Sequence, residues 1–273
     1  MNFFWIFFVF SMLQPLVAQR VLEMQRLGLI RELEKKRGSR VVTLIHRQES
    51  MSILGFPLMR YIDINDSEKI IKLIRNTPDE MPLDIILHTP GGLVLAASQI
   101  ALALKRRKGK VTVFVPYYAM SGGTFIALAA DEIIMGEHAV LGPIDPQLEG
   151  CAAPSILAVM KRKEINDIDD KTIILADMAD KAIRQVHQLA VVLLSEHLDG
   201  AKADEIARTL VSGQWTHDYP ISYENAEHMG LLVTAQVPEE VYDLMNLFPQ
   251  PAQKQSTVEY FPLPLKKRSS AAL

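Results

Sequence analysis

The sequence predicts an α/β protein with a mainly parallel sheet and a helical C-terminal part. Three observations predict it. Short, largely apolar runs recur at 41–45, 83–87, 111–115 and 131–135, as in buried strands. A strand–glycine turn–helix unit occurs twice, about 30 residues apart, which is the spacing of parallel crossovers. After residue 155 the apolar pattern becomes helical, with one long stretch at 173–198.

The elements follow in order. The run at 41–45 comes after a Gly-Ser turn. Asp66-Ser67-Glu68 opens a helix that puts Ile70, Ile71 and Ile74 on one face, and Pro78 and Pro82 break it. The second strand ends in His88-Thr89-Pro90-Gly91-Gly92, and an apolar helix follows from Leu93 to Leu104. Lys105-Arg106-Arg107-Lys108 closes that helix with cations where its dipole favours them. The third strand leads into Tyr118-Ala119-Met120-Ser121-Gly122-Gly123 and then a short apolar helix at 124–130. The helix at 173–198 is apolar all round, which predicts burial or contact between copies. Residues 249–273 carry Pro, Ser and Lys without a period and read as a disordered tail.

Composition excludes several classes. Of 273 residues, 49% are hydrophobic and 22% charged, too apolar for a disordered chain. The net charge of -3 gives no general field for nucleic acid. The single cysteine forms no internal bridge. No His/Cys/Asp group has metal spacing, and no cofactor fingerprint is present, so no metal or cofactor is expected.

Residues 1–18 contain no charged side chain, and Arg20, Arg26, Arg31, Lys35, Lys36 and Arg37 follow. A cleaved signal peptide, which would want basic residues before the apolar run, and a buried core helix are the weaker readings of residues 1–19; a single-pass membrane anchor fits best, with the catalytic part cytoplasmic by the positive-inside tendency. Residues 20–39 read as an amphipathic juxtamembrane helix on the lipid surface, or as an ordinary linker helix. Residues 40–248 form the main domain.

Ser121 lies on a tight turn at the start of an apolar helix. The free amides there, with the helix dipole behind them, suit an oxyanion formed when a hydroxyl attacks a carbonyl. The same position suits a plain N-cap serine. The corner at Gly91-Gly92 also ends a strand and begins a helix. Two such corners on neighbouring strands can face each other across one carbonyl oxygen.

At these corners the sequence resembles the serine dehydrogenase proteinase family, distant kin of the Clp proteolytic subunit and signal-peptide peptidases in the crotonase-like superfamily. The motifs are His88-Thr89-Pro90-Gly91-Gly92, Tyr118 to Gly123, Ala129-Ala130-Asp131-Glu132-Ile133 and Leu141-Gly142-Pro143-Ile144-Asp145-Pro146-Gln147. The resemblance runs from about residue 20 to 248. It implies a Clp/crotonase-like ββα spiral, homo-oligomers built by the helical C-terminal part, and serine-peptidase chemistry. By it, Ser121 matches the nucleophile, and Gly91, Gly92 and Gly122 match the oxyanion corner.

The general base is left open among several residues. Clp relatives carry a His where this chain has Ile144-Asp145-Pro146-Gln147, so that triad does not carry over. Signal-peptide peptidases use a lysine, which must be desolvated to be neutral. In that window Lys163 is preferred over Lys161, and Lys171 ranks last beside two aspartates. The family's Ser–Asp–His chain order instead points to Asp145 or Asp131 with a later histidine. His217, among aromatic and turn residues, is better placed than His138; His187 and His197 read as helix-face residues. His88 reads as a hydrogen-bonded strand-end residue.

The function expected is a membrane-anchored serine endopeptidase acting on peptides or membrane-protein fragments through an acyl-enzyme on Ser121. A crotonase-like acyl-CoA enzyme and a non-catalytic membrane scaffold are the alternatives.

Overall fold

The structure is a computed structural model and describes residues 3–47 and 60–248. The tail expected at 249–273 lies outside the described residues. The elements run α1 (Phe3–Arg37), β1 (Arg40–Ile45), α2 (Ile64–Arg75), β2 (Leu83–His88), α3 (Val94–Lys105), β3 (Val111–Val115), β4 (Tyr118–Ala119), α4 (Gly122–Ala127), β5 (Glu132–Met135), β6 (Val140–Leu141), β7 (Gln147–Leu148), β8 (Cys151–Ala152), α5 (Ala153–Arg162), a 3-10 turn (Ile165–Asp167), α6 (Asp170–Leu194), α7 (Gly200–Val211), β9 (Ile221–Ser222), α8 (Tyr223–Met229), β10 (Val233–Thr234) and α9 (Glu239–Asn246).

The main sheet has the order β1-β2-β3-β5-β10, and all its pairs are parallel. Register follows the two-residue period of a strand. Val42, Ile85, Val113, Ile133 and Val233 lie in one cross-strand row and enter the larger core. The next row, with Ile86, Phe114 and Ile134, enters a second core on the opposite face. Residues from α2, α3, α4, α6 and α7 line the first core, whereas Leu33 of α1 and Val241, Leu244 and Met245 of α9 line the second. The sheet is thus a middle layer, which is why β2 and β3 are buried throughout.

The half of α1 near residue 30 is part of the folded body and does not lie free as a lipid-facing helix. Leu33 is buried, Leu29 and Ile30 pack beside it, and Arg26 Nε donates to the Leu247 carbonyl at 2.8 Å. Its far end is fastened by Arg37 to Asp84 on β2, which also accepts from Ser39 Oγ at 2.6 Å. Among the described residues, no helix is long and apolar enough to cross a membrane. The anchor expected at 1–19 rests on side chains that for the most part lie outside the described residues.

The long helix is amphipathic, not apolar all round. α6 buries Ala176, Ala179, Val186, Ala190, Leu193 and Leu194, while Asp177, Asp180, Lys181 and Arg184 are exposed, along with the apolar Ile174, Met178 and Val192. With α5 it forms a small separate core around Ala153, Ile156, Ala176 and Ala179.

Candidate active site

The site lies at the C-terminal ends of β2 and β3, where parallel sheets open their crevices. Each strand ends in a glycine corner, and backbone bonds tie the two corners together. Thr89 N–H donates to the Tyr118 carbonyl at 3.2 Å, and Met120 N–H donates to the Thr89 carbonyl at 2.9 Å. Glycine is required by closeness. A Cβ on Gly91 would lie 2.8 Å from Ser121 Cβ, and one on Gly123 would lie 2.6 Å from Thr89 Cγ2.

Ser121 is the residue before α4 and has φ 49 and ψ -114. Such a conformation is strained for a residue with a Cβ and persists only where its surroundings enforce it. Its side chain makes no capping hydrogen bond to α4. The plain N-cap reading therefore fails, because a capping serine has extended φ/ψ and bonds the next turn. The hydroxyl instead lines a cleft of about 340 Å3 with Gly92, Leu93, Phe125, Ile144, Asp145 and His217. A serine on a sharp strand-to-helix turn is the arrangement that exposes a nucleophilic Oγ.

The amides of Gly92 and Gly122 donate no hydrogen bond among the described residues. A Cβ on Gly122 would lie 3.4 Å from Gly92 N, so the two amides sit close together. Gly91 differs from the expectation. Its N–H already donates to Thr89 Oγ1 at 3.2 Å, so it has no free donor to offer.

Asp145 and His217 come together from elements 72 residues apart. Asp145 Oδ1 is 2.9 Å from His217 Nδ1, and Gln147 Nε2 donates to the other carboxylate oxygen at 2.8 Å. The Asp145 side chain is buried while that of His217 is 33% exposed. The loop carrying Asp145 is held by Ile144 N–H to the Leu210 carbonyl at 3.0 Å and by Gly142 to Thr124 Oγ1 at 2.9 Å. The loop carrying His217 is stiffened by Trp215 stacked on Tyr219 at 4.9 Å. A carboxylate only accepts, so in the neutral ring Nδ1 carries the proton and Nε2 keeps its lone pair.

Other sequence candidates are not brought to the cleft. Lys163 is exposed at the end of α5 and donates to the Asp167 carbonyl at 3.1 Å. The burial that a lysine base requires is therefore not provided at this position. Lys161 is also exposed, and Lys171 pairs with Glu149 at 2.6 Å. His138 is exposed on a turn, and Asp131 accepts from Val111 N–H at 2.6 Å. His88 is buried, but neither ring nitrogen has a hydrogen-bond partner among the described residues. Burial first, then the nearby charges of Arg47 and His46, lower its pKa to about 4. Gln147 stands in a motif the sequence shows, but its hold on Asp145 was not read from it; His46 carried no local signal, and only the pairing of β1 with β2 brings it beside Thr89. No group of His, Cys, Asp and Glu among the described residues is arranged to hold a metal.

A serine on a strained turn facing paired glycine amides is the hallmark of the serine hydrolases as a class. The chain belongs to the ClpP-like SDH-type serine proteinase family, which matches residues 1–272. It is 50% identical over 267 residues to "Uncharacterized protein MJ0137" of Methanocaldococcus jannaschii, covering 98% of this chain and 93% of that one. It is 32% identical over 109 residues to "Probable protease SohB" of Haemophilus influenzae, covering 38% of this chain and 30% of that one. Among solved structures, ClpP1 from Listeria monocytogenes matches with a TM-score of 0.46 at 15% identity, covering 75% of this chain and 96% of that chain.

Proposed function

We propose that this chain is a serine endopeptidase with Ser121 as nucleophile, His217 as general base and Asp145 as the group that orients His217. Ser121 Oγ attacks the substrate carbonyl carbon, and its proton passes to His217 Nε2. The carbonyl oxygen, now an anion, is held by the amides of Gly92 and Gly122. Collapse of that intermediate breaks the C–N bond, and His217 returns the proton to the leaving amine. Water then releases the acyl group from Ser121 by the same steps. Asp145 fixes the tautomer and supports the imidazolium that forms.

The observation that carries this reading is the Asp145–His217 pair in one cleft with a strained serine and two unpaired glycine amides. Leu93, Val94, Phe125, Ile144 and Val186 also line the cleft, which favours an apolar substrate side chain near the cut. A fluorophosphonate probe tests it. The native chain is expected to label, Ser121→Ala to abolish labelling, and His217→Ala to slow it by about 10³-fold or more. Labelling that survives Ser121→Ala removes the assignment, and turnover of acyl-CoA without labelling favours the crotonase-like alternative.

Residues 1–19 complete the reading as a membrane anchor, supported by their lack of charge. The exposed Ile174 and Met178 of α6 are then available for contact between copies. The full chain is expected to stay with membranes through alkaline carbonate extraction, and a chain lacking residues 1–19 to be released with a mass above that of one copy by light scattering. Release of the full chain, or a single-copy mass, would remove the corresponding part.

A further inference from the structure

A second Asp–His–hydroxyl chain lies beneath the Gly91 corner, apart from the pair in the cleft. Asp66 Oδ2 is 3.2 Å from His46 Nε2, and His46 Nδ1 is 3.0 Å from Thr89 Oγ1. Thr89 Oγ1 in turn accepts from Gly91 N–H at 3.2 Å. The Asp66 carboxylate only accepts, so in the neutral ring His46 gives it the Nε2 proton and keeps Nδ1 as an acceptor. The Thr89 hydroxyl then donates to Nδ1. Its other acceptor, the Gly91 carbonyl, is more distant at 3.4 Å. With its proton committed to His46, Thr89 Oγ1 presents lone pairs to the Gly91 amide.

Thr89 is fully buried and His46 nearly so. This hydroxyl therefore meets no substrate, and the chain is not a second nucleophile. Its effect falls on the backbone. Gly91 has φ 106, a value glycine adopts readily but does not hold by itself. Two bonds hold it. Thr89 Oγ1 fixes the peptide plane before Gly91. Ile62 N–H, donating to the Gly91 carbonyl at 2.8 Å, fixes the plane after it. In a planar trans peptide the C=O and N–H point in opposite directions. With the Gly91 carbonyl turned to Ile62, the Gly92 N–H is turned away from Ile62, and Gly92 lines the cleft.

The start of α2 anchors both holds. Ile62 immediately precedes Asp63, whose carboxylate accepts from Asp66 N–H at 2.9 Å, while Asp66 Oδ2 accepts from Asp63 N–H at 3.1 Å. The carboxylate that closes this capping box also faces His46.

We propose that Asp66, His46 and Thr89 are positioning residues that hold the Gly91–Gly92 peptide so that the Gly92 amide is aimed at the oxyanion. The inference rests on the peptidase reading above. Reaction of the full-length chain with a fluorophosphonate, analysed for its maximal rate kinact separately from the binding constant KI, tests the two independently. The developing phosphonyl oxygen uses the same amides as a substrate oxyanion. Loss of one oxyanion donor costs on the order of 10²–10³ in rate, so an ill-aimed donor is expected to cost about 10–100-fold. Thr89→Val should lower kinact by that factor with KI within about threefold, and Thr89→Ser should restore it. His46→Asn, whose side-chain oxygen overlays Nδ1, should retain kinact, and His46→Leu should not. A Thr89→Val variant that does not fold leaves the His46 pair to decide. Wild-type kinact in both Thr89→Val and His46→Leu overturns the inference, as does Ser or Asn failing to rescue. Failure of all four variants to fold also overturns it, since the chain would then be a fold determinant only. Absence of labelling in the native chain, by contrast, defeats the peptidase reading itself.

Discussion

A methyl group at Gly91 has nowhere to go. It would meet Ser121 Cβ at 2.8 Å and the Met120 carbonyl at 3.0 Å, at a φ of 106 that L-residues rarely adopt. Relief requires one glycine corner to move off the other, and a shift of about 1 Å at such a site costs on the order of 10²-fold in rate. Gly91→Ala is expected to slow fluorophosphonate labelling of Ser121 by about that factor. Unchanged labelling would mean that the corners do not act together. The glycines and Ser121 were legible in the sequence because each is part of a contiguous motif at a strand end. The base was not. Lys161-Arg162-Lys163 and Trp215-Thr216-His217 are both local strings, and neither discloses what it packs against. The structure sets His217 against the buried Asp145 and leaves Lys163 exposed, a difference that neither string encodes.

At the scale of elements, α1 is joined to the sheet by a buried charge. Asp84 sits in the middle layer on β2, where it pairs with Arg37 and accepts from Ser39. Removing a buried partner leaves a desolvated charge uncompensated, at a cost of about 3–5 kcal/mol. Arg37→Ala, which leaves the buried Asp84 carboxylate without its cation, is therefore expected to lower the unfolding free energy in urea by about 3 kcal/mol. Glu240→Ala, which removes the more exposed Lys36 pair, should cost under about 1 kcal/mol. Equal effects would show that the Asp84 pair contributes no more than a surface one. The central strands were legible almost to the residue, because strands covered on both faces read as short, mostly apolar runs, with Asp84 the charged exception on β2. β10, with two residues, was not: its place at the sheet edge depends on pairing with β5 alone.

For the whole molecule, the acid limit of stability is tied to a group between the two cores. His88 is buried against Tyr118, with ring centroids 4.1 Å apart, and is held neutral with a pKa of about 4. The unfolded chain binds this proton near the ordinary value of 6.5. Its contribution is therefore fully present above about pH 6.5 and is lost as pH falls toward 4, at up to about 1.4 kcal/mol per pH unit. His88→Phe is expected to flatten the fall in thermal midpoint between pH 6.5 and 4.5. An equally steep fall in the variant would assign the acid limit to other groups.

The sequence by itself determined the α/β class, the central strands and the two glycine corners, because each depends on neighbours within one turn or strand. The tertiary structure decided which histidine joins Asp145, that Gly91 gives up its amide to Thr89, and that His46 stands under the corner. Those are contacts between segments far apart in the chain, set by strand register and loop packing, and no local pattern of residues encodes them.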